Sequence, residues 1–180
     1  RQVQGEIIVS MMNEAKDKQK PVTHPFPPLY DENSRVLILG SFPSVKSREQ
    51  MFFYGHPQNR FWRVLAGVFS CAVPQTIEEK RRFLLSNGIA LWDVIASCVI
   101  TGSSDSSIKK AVANDLSPIL EAADIQKIFV NGKTAEKYYK KYTEPVIGRE
   151  AICLPSTSPA NAAWSLERLT EAWQAVAESI

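Results

Sequence analysis

The 180-residue chain is 44% hydrophobic and 22% charged, the proportions of one globular domain and not of a disordered, fibrous or disulfide-scaffold protein. Its 21 Lys+Arg against 19 Asp+Glu leave a formal charge of +2, which by itself announces no polyanion partner. No apolar run approaches the roughly 20 residues that a bilayer helix needs, so no membrane contact is expected.

Residues 1–23 read as an N-terminal extension ahead of a single domain over 24–180, with 5–15 forming a short helix or an extended arm before a Lys-rich linker. No secretory leader pattern is visible in 1–20. Cys71, Cys98 and Cys153 are odd in number, far apart and set in apolar surroundings, as expected of buried reduced thiols in a cytoplasmic protein. His24-Pro-Phe-Pro-Pro-Leu29 is kept out of helix by its prolines and should run as an extended lead-in.

From there the chain alternates. Residues 35–40 form an apolar run ending in glycine, the pattern of a strand buried on both faces. Helices are predicted over 59–69 and 76–86, the second capped by Thr76 with Glu78 and Glu79 in its first turn. A second strand over 88–95 is followed by a helical region over 106–123, interrupted near Pro118. A third strand over 125–130 breaks at Asn131-Gly132 into a helix over 133–142. A fourth strand over 150–154 leads through a polar loop to an amphipathic helix over 165–177. Four strands separated by helices predict an α/β fold, a three-layer α/β/α sandwich around a four-stranded parallel sheet.

Ligands of such sheets bind beyond the carboxyl ends of the strands, so the strand exits are where chemistry is expected. All four exits carry glycine or hydrogen-bonding groups: Gly40-Ser41-Phe42-Pro43-Ser44 with the loop through Tyr54 to Arg60, then Asp93, then Asn131-Gly132-Lys133, then Ser156-Thr157-Ser158. Each alone is an ordinary turn or cap; together they suggest a site. Gly40-Ser41-Phe42-Pro43 lacks the second glycine of a hydrolase elbow, and Gly132-Lys133-Thr134 lacks the first glycine of a P-loop. His24 and His56 have no carboxylates at ligand spacing and no CxxC pair exists, so no metal site is expected, and His56 reads as a turn residue bonded to backbone.

Gly40 to Ser44, followed by Phe53-Tyr-Gly-His-Pro-Gln-Asn-Arg-Phe-Trp62, resembles the uracil-DNA glycosylase superfamily, closest to its hypoxanthine (deoxyinosine) DNA glycosylase branch. The match resumes at Gly88 to Val94, at Asn131-Gly132-Lys133 with Ala135, and at Leu154 to Asn161, and so spans roughly residues 24 to 177. The resemblance implies removal of a damaged base from DNA without a cofactor, by a monomer acting on double-stranded or also single-stranded DNA. Relatives often hold a water-positioning Asp or Asn beside the proline of the first motif, and His or Asn before the Pro-Ser of the last. Here Phe42 and Ser44 flank Pro43, and Leu154 precedes Pro155, which moves the catalytic assignment to Asn59.

On this reading Asn59 orients a water, helped by the backbone of Ser41 to Ser44, and it can also cap the following helix. Tyr54 stands where relatives stack an aromatic on the flipped base, although a core role for it or Phe53 is equally open. Asp93 stands where some relatives read the base edge. A carboxylate accepts from the N1–H of hypoxanthine and repels the bare N1 of adenine; a structural cap is the alternative for Asp93. Ser41, Phe42 and Pro43 complete the base pocket. Ser44, Asn131, Gly132, Lys133 and Ser156 to Ser158 would hold DNA phosphates, with the loop through Asn161 in the minor groove. Removal of uracil or another mismatched base, or a non-catalytic DNA-damage or nucleotide binder, are the other functions this pattern fits. The charge also divides: residues 35–63 sum to +4 and residues 125–150 to +3, which suggests a basic face on an otherwise acidic body.

Overall fold

The computed structural model describes residues 20–180, so the expectation of a helix or arm over 5–15 lies outside the described residues. The chain enters along a short strand, β1 (Val22–Thr23), and the proline-locked lead-in then runs past the sheet edge, where Leu29 and Leu91 exchange backbone hydrogen bonds of 3.0 and 2.9 Å. This bridge closes an edge that would otherwise offer unpaired backbone to another chain.

β2 (Val36–Gly40) and β3 (Ile89–Asp93) are buried at every residue, as continuous apolar runs require when both faces of a sheet are covered. Between them lie three helices, α1 (Val45–Gln50), α2 (Phe61–Val68) and α3 (Ile77–Ser86). The α3 terminus is built as its sequence predicts: the Thr76 hydroxyl accepts from the Glu79 N–H at 3.1 Å, with Glu78 and Glu79 against the positive end of the helix. The short helix α1 is not anticipated by the sequence reading. Ser44 caps it, and its few turns carry only one buried residue, Ser47, so no apolar stripe betrays it.

The largest departure follows β3. The chain turns at Val94 into β4 (Ile95–Val99), passes a 3₁₀ turn at Asp105–Ser107 and returns as β5 (Lys109–Ala113), antiparallel to β4. The predicted helix over 106–123 is therefore mostly strand, and only α4 (Ser117–Ala122), with Pro118 in its first turn, is helical. Ser103 to Ser107 are poor helix formers, and the free edge of β4 offers Lys109 to Ala113 a ladder instead. With β1 these strands make a second, three-stranded antiparallel sheet in the order β1-β4-β5.

β6 (Lys127–Asn131) and β7 (Ile152–Leu154) complete the main sheet, whose order is β3-β2-β6-β7 with every neighbouring pair parallel. Between them α5 (Lys133–Tyr138) loosens into a π turn at Tyr139–Thr143 and a last short helix, α6 (Glu144–Ile147), where the predicted helix over 133–142 was continuous. Pro145 has no N–H to continue an α ladder across this junction. The C-terminal helix α7 (Leu166–Glu178) starts at its Ser165 cap and packs on α2, where Gly67 lets Thr170 approach so closely that a Cβ would sit 2.9 Å from its methyl group. Trp173, fully buried, meets Phe61 edge to face at 5.9 Å.

The result is the expected three-layer α/β/α sandwich with its four-stranded parallel sheet. Of the three cysteines only Cys98 is fully buried; Cys153 is half-buried and Cys71, at the end of the turn after α2, is exposed, contrary to expectation. All three are free thiols. No described helix is long and apolar enough to cross a membrane. The chain leaves β2 towards β3 on one side and reaches β6 on the other, so the loops at these carboxyl ends diverge and open a crevice.

Candidate active site

That crevice is a cleft of about 1020 Å³ lined by all four strand exits of the parallel sheet. Every residue that the sequence singled out lies on it: Ser41 to Ser44 with Tyr54 and Asn59 from the first exit, Asp93 from the second, Asn131 to Lys133 from the third, and Ser156 to Ser158 with Asn161 from the fourth. Positions up to 120 residues apart in the chain, from Ser41 to Asn161, thus converge on one space.

Three of these exits are bolted together. The Asn131 Nδ2 group donates to Thr157 Oγ1 at 3.0 Å while the Thr157 N–H donates to Asn131 Oδ1 at 3.1 Å. The Thr157 hydroxyl donates onward to Asn59 Oδ1 at 2.9 Å, and the Phe61 N–H donates to the same oxygen at 3.0 Å. Thr157 is 1% exposed, so its N–H and O–H are consumed inside this network and not offered to a phosphate. Asn59 does serve the start of α2, through Phe61. Two donors on its oxygen fix the amide orientation and leave Nδ2 as the group without a protein partner.

Asp93 forms the floor. It is 4% exposed, and its Oδ2 receives a 2.7 Å hydrogen bond from His24 Nε2. Its other oxygen lies over Gly40, where a Cβ would come within 2.4 Å of Oδ1; a side chain at position 40 would displace the carboxylate. His24 comes from the lead-in, 69 residues away, and its ring is held among Phe26, Trp92 and Phe42 at centroid distances of 4.5, 4.4 and 6.0 Å. At the strand end the Asp93 main-chain carbonyl accepts Asn114 Nδ2 at 2.9 Å, a bond that leaves the side chain to His24 and the cleft.

Tyr54 takes a left-handed backbone, φ 50°, which costs a non-glycine residue about 1 kcal/mol and is held here by the Trp62 indole N–H on its carbonyl at 3.1 Å. Its ring stacks on Phe61 at 3.9 Å and 13°, so one face is backed by core. Burial, then the nearby Asp93 charge, push the phenol well above its ordinary range and keep it protonated. Phe53, by contrast, is 3% exposed and packs edge-on to Phe26, as a core residue does, while still touching the cleft wall.

The fourth exit is held from outside. Arg60 donates to the carbonyls of Trp164, Ser158 and Asn161, the last two at 3.0 Å, and so clamps the loop after β7. Gly132, φ 93°, lets that loop approach: a Cβ there would lie 2.9 Å from Ser156 Cβ. His56 accepts the Gln58 N–H on Nδ1, the turn role expected of it. Three contributors escaped the sequence reading, namely His24, the Arg60 clamp and Asp105. Asp105 arrives on the 3₁₀ turn and accepts the Ser41 hydroxyl at 3.0 Å. Enclosure by the cleft, with Asp93 close by, raises its carboxyl above the usual range although Ser41 and Thr134 donate to it. No group of three metal-ligating side chains occurs among the described residues.

The family model for the uracil DNA glycosylase superfamily matches residues 27–177. The chain belongs to this superfamily. It is 38% identical over 156 residues to a hypoxanthine DNA glycosylase of Methanosarcina acetivorans, covering 84% of this chain and 95% of that protein. A hypoxanthine DNA glycosylase of Methanosarcina barkeri is 37% identical over 142 residues, covering 76% and 86%. The solution NMR structure of a candidate uracil DNA glycosylase from M. acetivorans superimposes with a TM-score of 0.74 at 36% identity, over 88% of this chain and 97% of that one. The matched stretch of the superfamily model contains every strand of the parallel sheet and every loop of the cleft, but begins just after His24.

Proposed function

We propose that this protein is a monofunctional DNA glycosylase that flips a deaminated base, hypoxanthine above all, into the cleft and hydrolyses its N-glycosidic bond in base excision repair. Superfamily membership supports a DNA glycosylase, with DNA as its substrate. The activity named for the Methanosarcina relatives supports hypoxanthine as the base.

The observation that carries the reading in this chain is the fixed carboxylate of Asp93 on the cleft floor. Hypoxanthine offers N1–H to such an acceptor, whereas adenine offers a lone pair. With His24 holding one oxygen and Gly40 accommodating the other, the carboxylate cannot turn away, so the mismatch with adenine costs roughly 1–3 kcal/mol. Uracil N3–H presents the same donor, which is why the competing base has to be tested and not assumed.

The other parts follow. The Tyr54 ring, backed by Phe61, replaces the stacking that a flipped base loses. Asn59 turns its NH₂ towards the reacting centre and holds the water, or the departing base, by an acceptor atom. Ser41, Phe42 and Pro43 wall the base pocket. Lys133, with Ser44, Gly132, Ser156 and Ser158, meets phosphates at the rim, while the clamped loop through Asn161 faces the minor groove. The enzyme works on this reading as a monomer without a cofactor.

The test is a labelled duplex with one deoxyinosine, incubated with enzyme and then cleaved at abasic sites with alkali, beside duplexes holding uracil, xanthine or ethenocytosine. We expect alkali-dependent cleavage, fastest for inosine, and roughly 100-fold slower product formation by Asn59→Ala. Faster release of uracil makes the protein a uracil glycosylase; cleavage without alkali rules out monofunctional action; salt-sensitive duplex binding with no abasic product from any base leaves a damage binder.

A further inference from the structure

We propose that Asp105 is the general base of the excision step, taking the proton of the attacking water. The proposal rests on the glycosylase reading above and goes beyond it. Hydrolysis at C1′ requires an acceptor for the proton of that water, and Asn59 cannot supply one, because both donors on its Oδ1 leave only N–H groups for the cleft. The loop from Gly40 to Ser44 carries neither acid nor amide.

Among the described groups on the cleft, the remaining candidates fall away one by one. His56 spends Nδ1 on the Gln58 N–H, so its neutral ring presents only a donor at Nε2. Glu136 is turned along its own helix to Lys140, at 3.8 Å. Asp93 lies at the floor with Oδ2 on His24, placed to meet a base edge and not a solvent molecule. Asp105 alone among the cleft carboxylates is exposed, open to water from the cleft while protein encloses it. Its position is also built. The Ser41 hydroxyl, from the first residue past β2, donates to Oδ1 at 3.0 Å, and the turn that carries Asp105 is pinned by the Val45 N–H on Ser103 Oγ at 2.9 Å and by Arg48 on the Gly102 carbonyl at 2.8 Å. A surface turn needs none of these long-range ties.

In the step itself the water oxygen bonds to C1′ as the C1′–N9 bond breaks and its electron pair leaves with the purine. The water proton passes to the Asp105 carboxylate and from there, through solvent, to the released base. The developing positive sugar lies beside two carboxylates, Asp105 and Asp93, whose charges interact. Asp93, Tyr54, Cys98 and Tyr138 are the titratable groups that face Asp105, and Ser41 and Thr134 donate to it. Enclosure and the Asp93 charge lift its carboxyl above the ordinary range, towards the pH at which a base accepts a proton most effectively.

The experiment compares wild type and Asp105→Asn, which preserves shape and the acceptor for Ser41, in single-turnover excision from the best base of the panel across pH, with duplex affinity measured alongside. The wild-type rate should climb as pH rises through the Asp105 ionisation. The variant should lose about 100-fold or more of the rate and that pH limb, yet bind duplex within about 3-fold of wild type. A variant rate within about 3-fold of wild type, or a slower variant that keeps the same limb, overturns the assignment and leaves the glycosylase reading standing. No product from wild type on any base overturns both.

Discussion

Thr157 shows how much of the site is fixed by a single hydroxyl. It accepts from Asn131 and donates to Asn59, so it decides which end of the Asn59 amide the cleft sees. Replacing it with the near-isosteric Val leaves two half-buried amides each short of one partner. We expect Thr157→Val to lose roughly 1–3 kcal/mol of stability by urea denaturation and to excise more slowly than that loss explains, since only the Phe61 N–H then orients the Asn59 amide. Asn59, Asp93 and Tyr54 were legible in the sequence as residue types at strand exits. The contacts that position the site were not legible: His24 sits 69 residues from Asp93, and Asp105 sits 64 from Ser41, and no local pattern announces a pairing across such distances.

At the scale of elements, the loop after β7 has little regular structure of its own and owes its shape to Arg60, at the start of α2. Hydrogen bonds from a charged donor to carbonyls contribute about 1.5–3 kcal/mol each when well formed. Arg60→Ala should therefore speed amide exchange across residues 158–164 and lower duplex affinity, while the exchange of β2 and β6 stays slow. The parallel strands were readable because burial on both faces demands unbroken apolar runs, as in Val36 to Leu39. The antiparallel sheet was not, because β5 is Lys-Lys-Ala-Val-Ala with no residue fully buried and Val112 exposed; its pairing to β4, and nothing in its own sequence, makes it a strand.

For the whole molecule, the local charge sums overstate the basic face. Arg35 donates to the carbonyls of Glu32 and Ser34 at the end of the sheet opposite the cleft, and Arg149 to that of Ile125 just before β6. With Arg60 also engaged, few cations remain to meet phosphates, Lys133 foremost. Duplex binding should then show a shallow salt dependence, a slope of about −2 to −3 in log K against log salt, and Lys133→Ala should flatten it by about 1.

The two cleft carboxylates, Asp93 at the floor and Asp105 exposed on the turn after β4, carry a further consequence for the molecules that compete with DNA. In DNA the phosphates are fixed along the strand and can stay at the rim while base and sugar enter. A free purine mononucleotide carries its own phosphate on the sugar it must insert, and Asp93 and Asp105 push that charge out. On the glycosylase reading, free nucleotides should therefore compete weakly with duplex for the cleft, which an inhibition assay with inosine monophosphate measures.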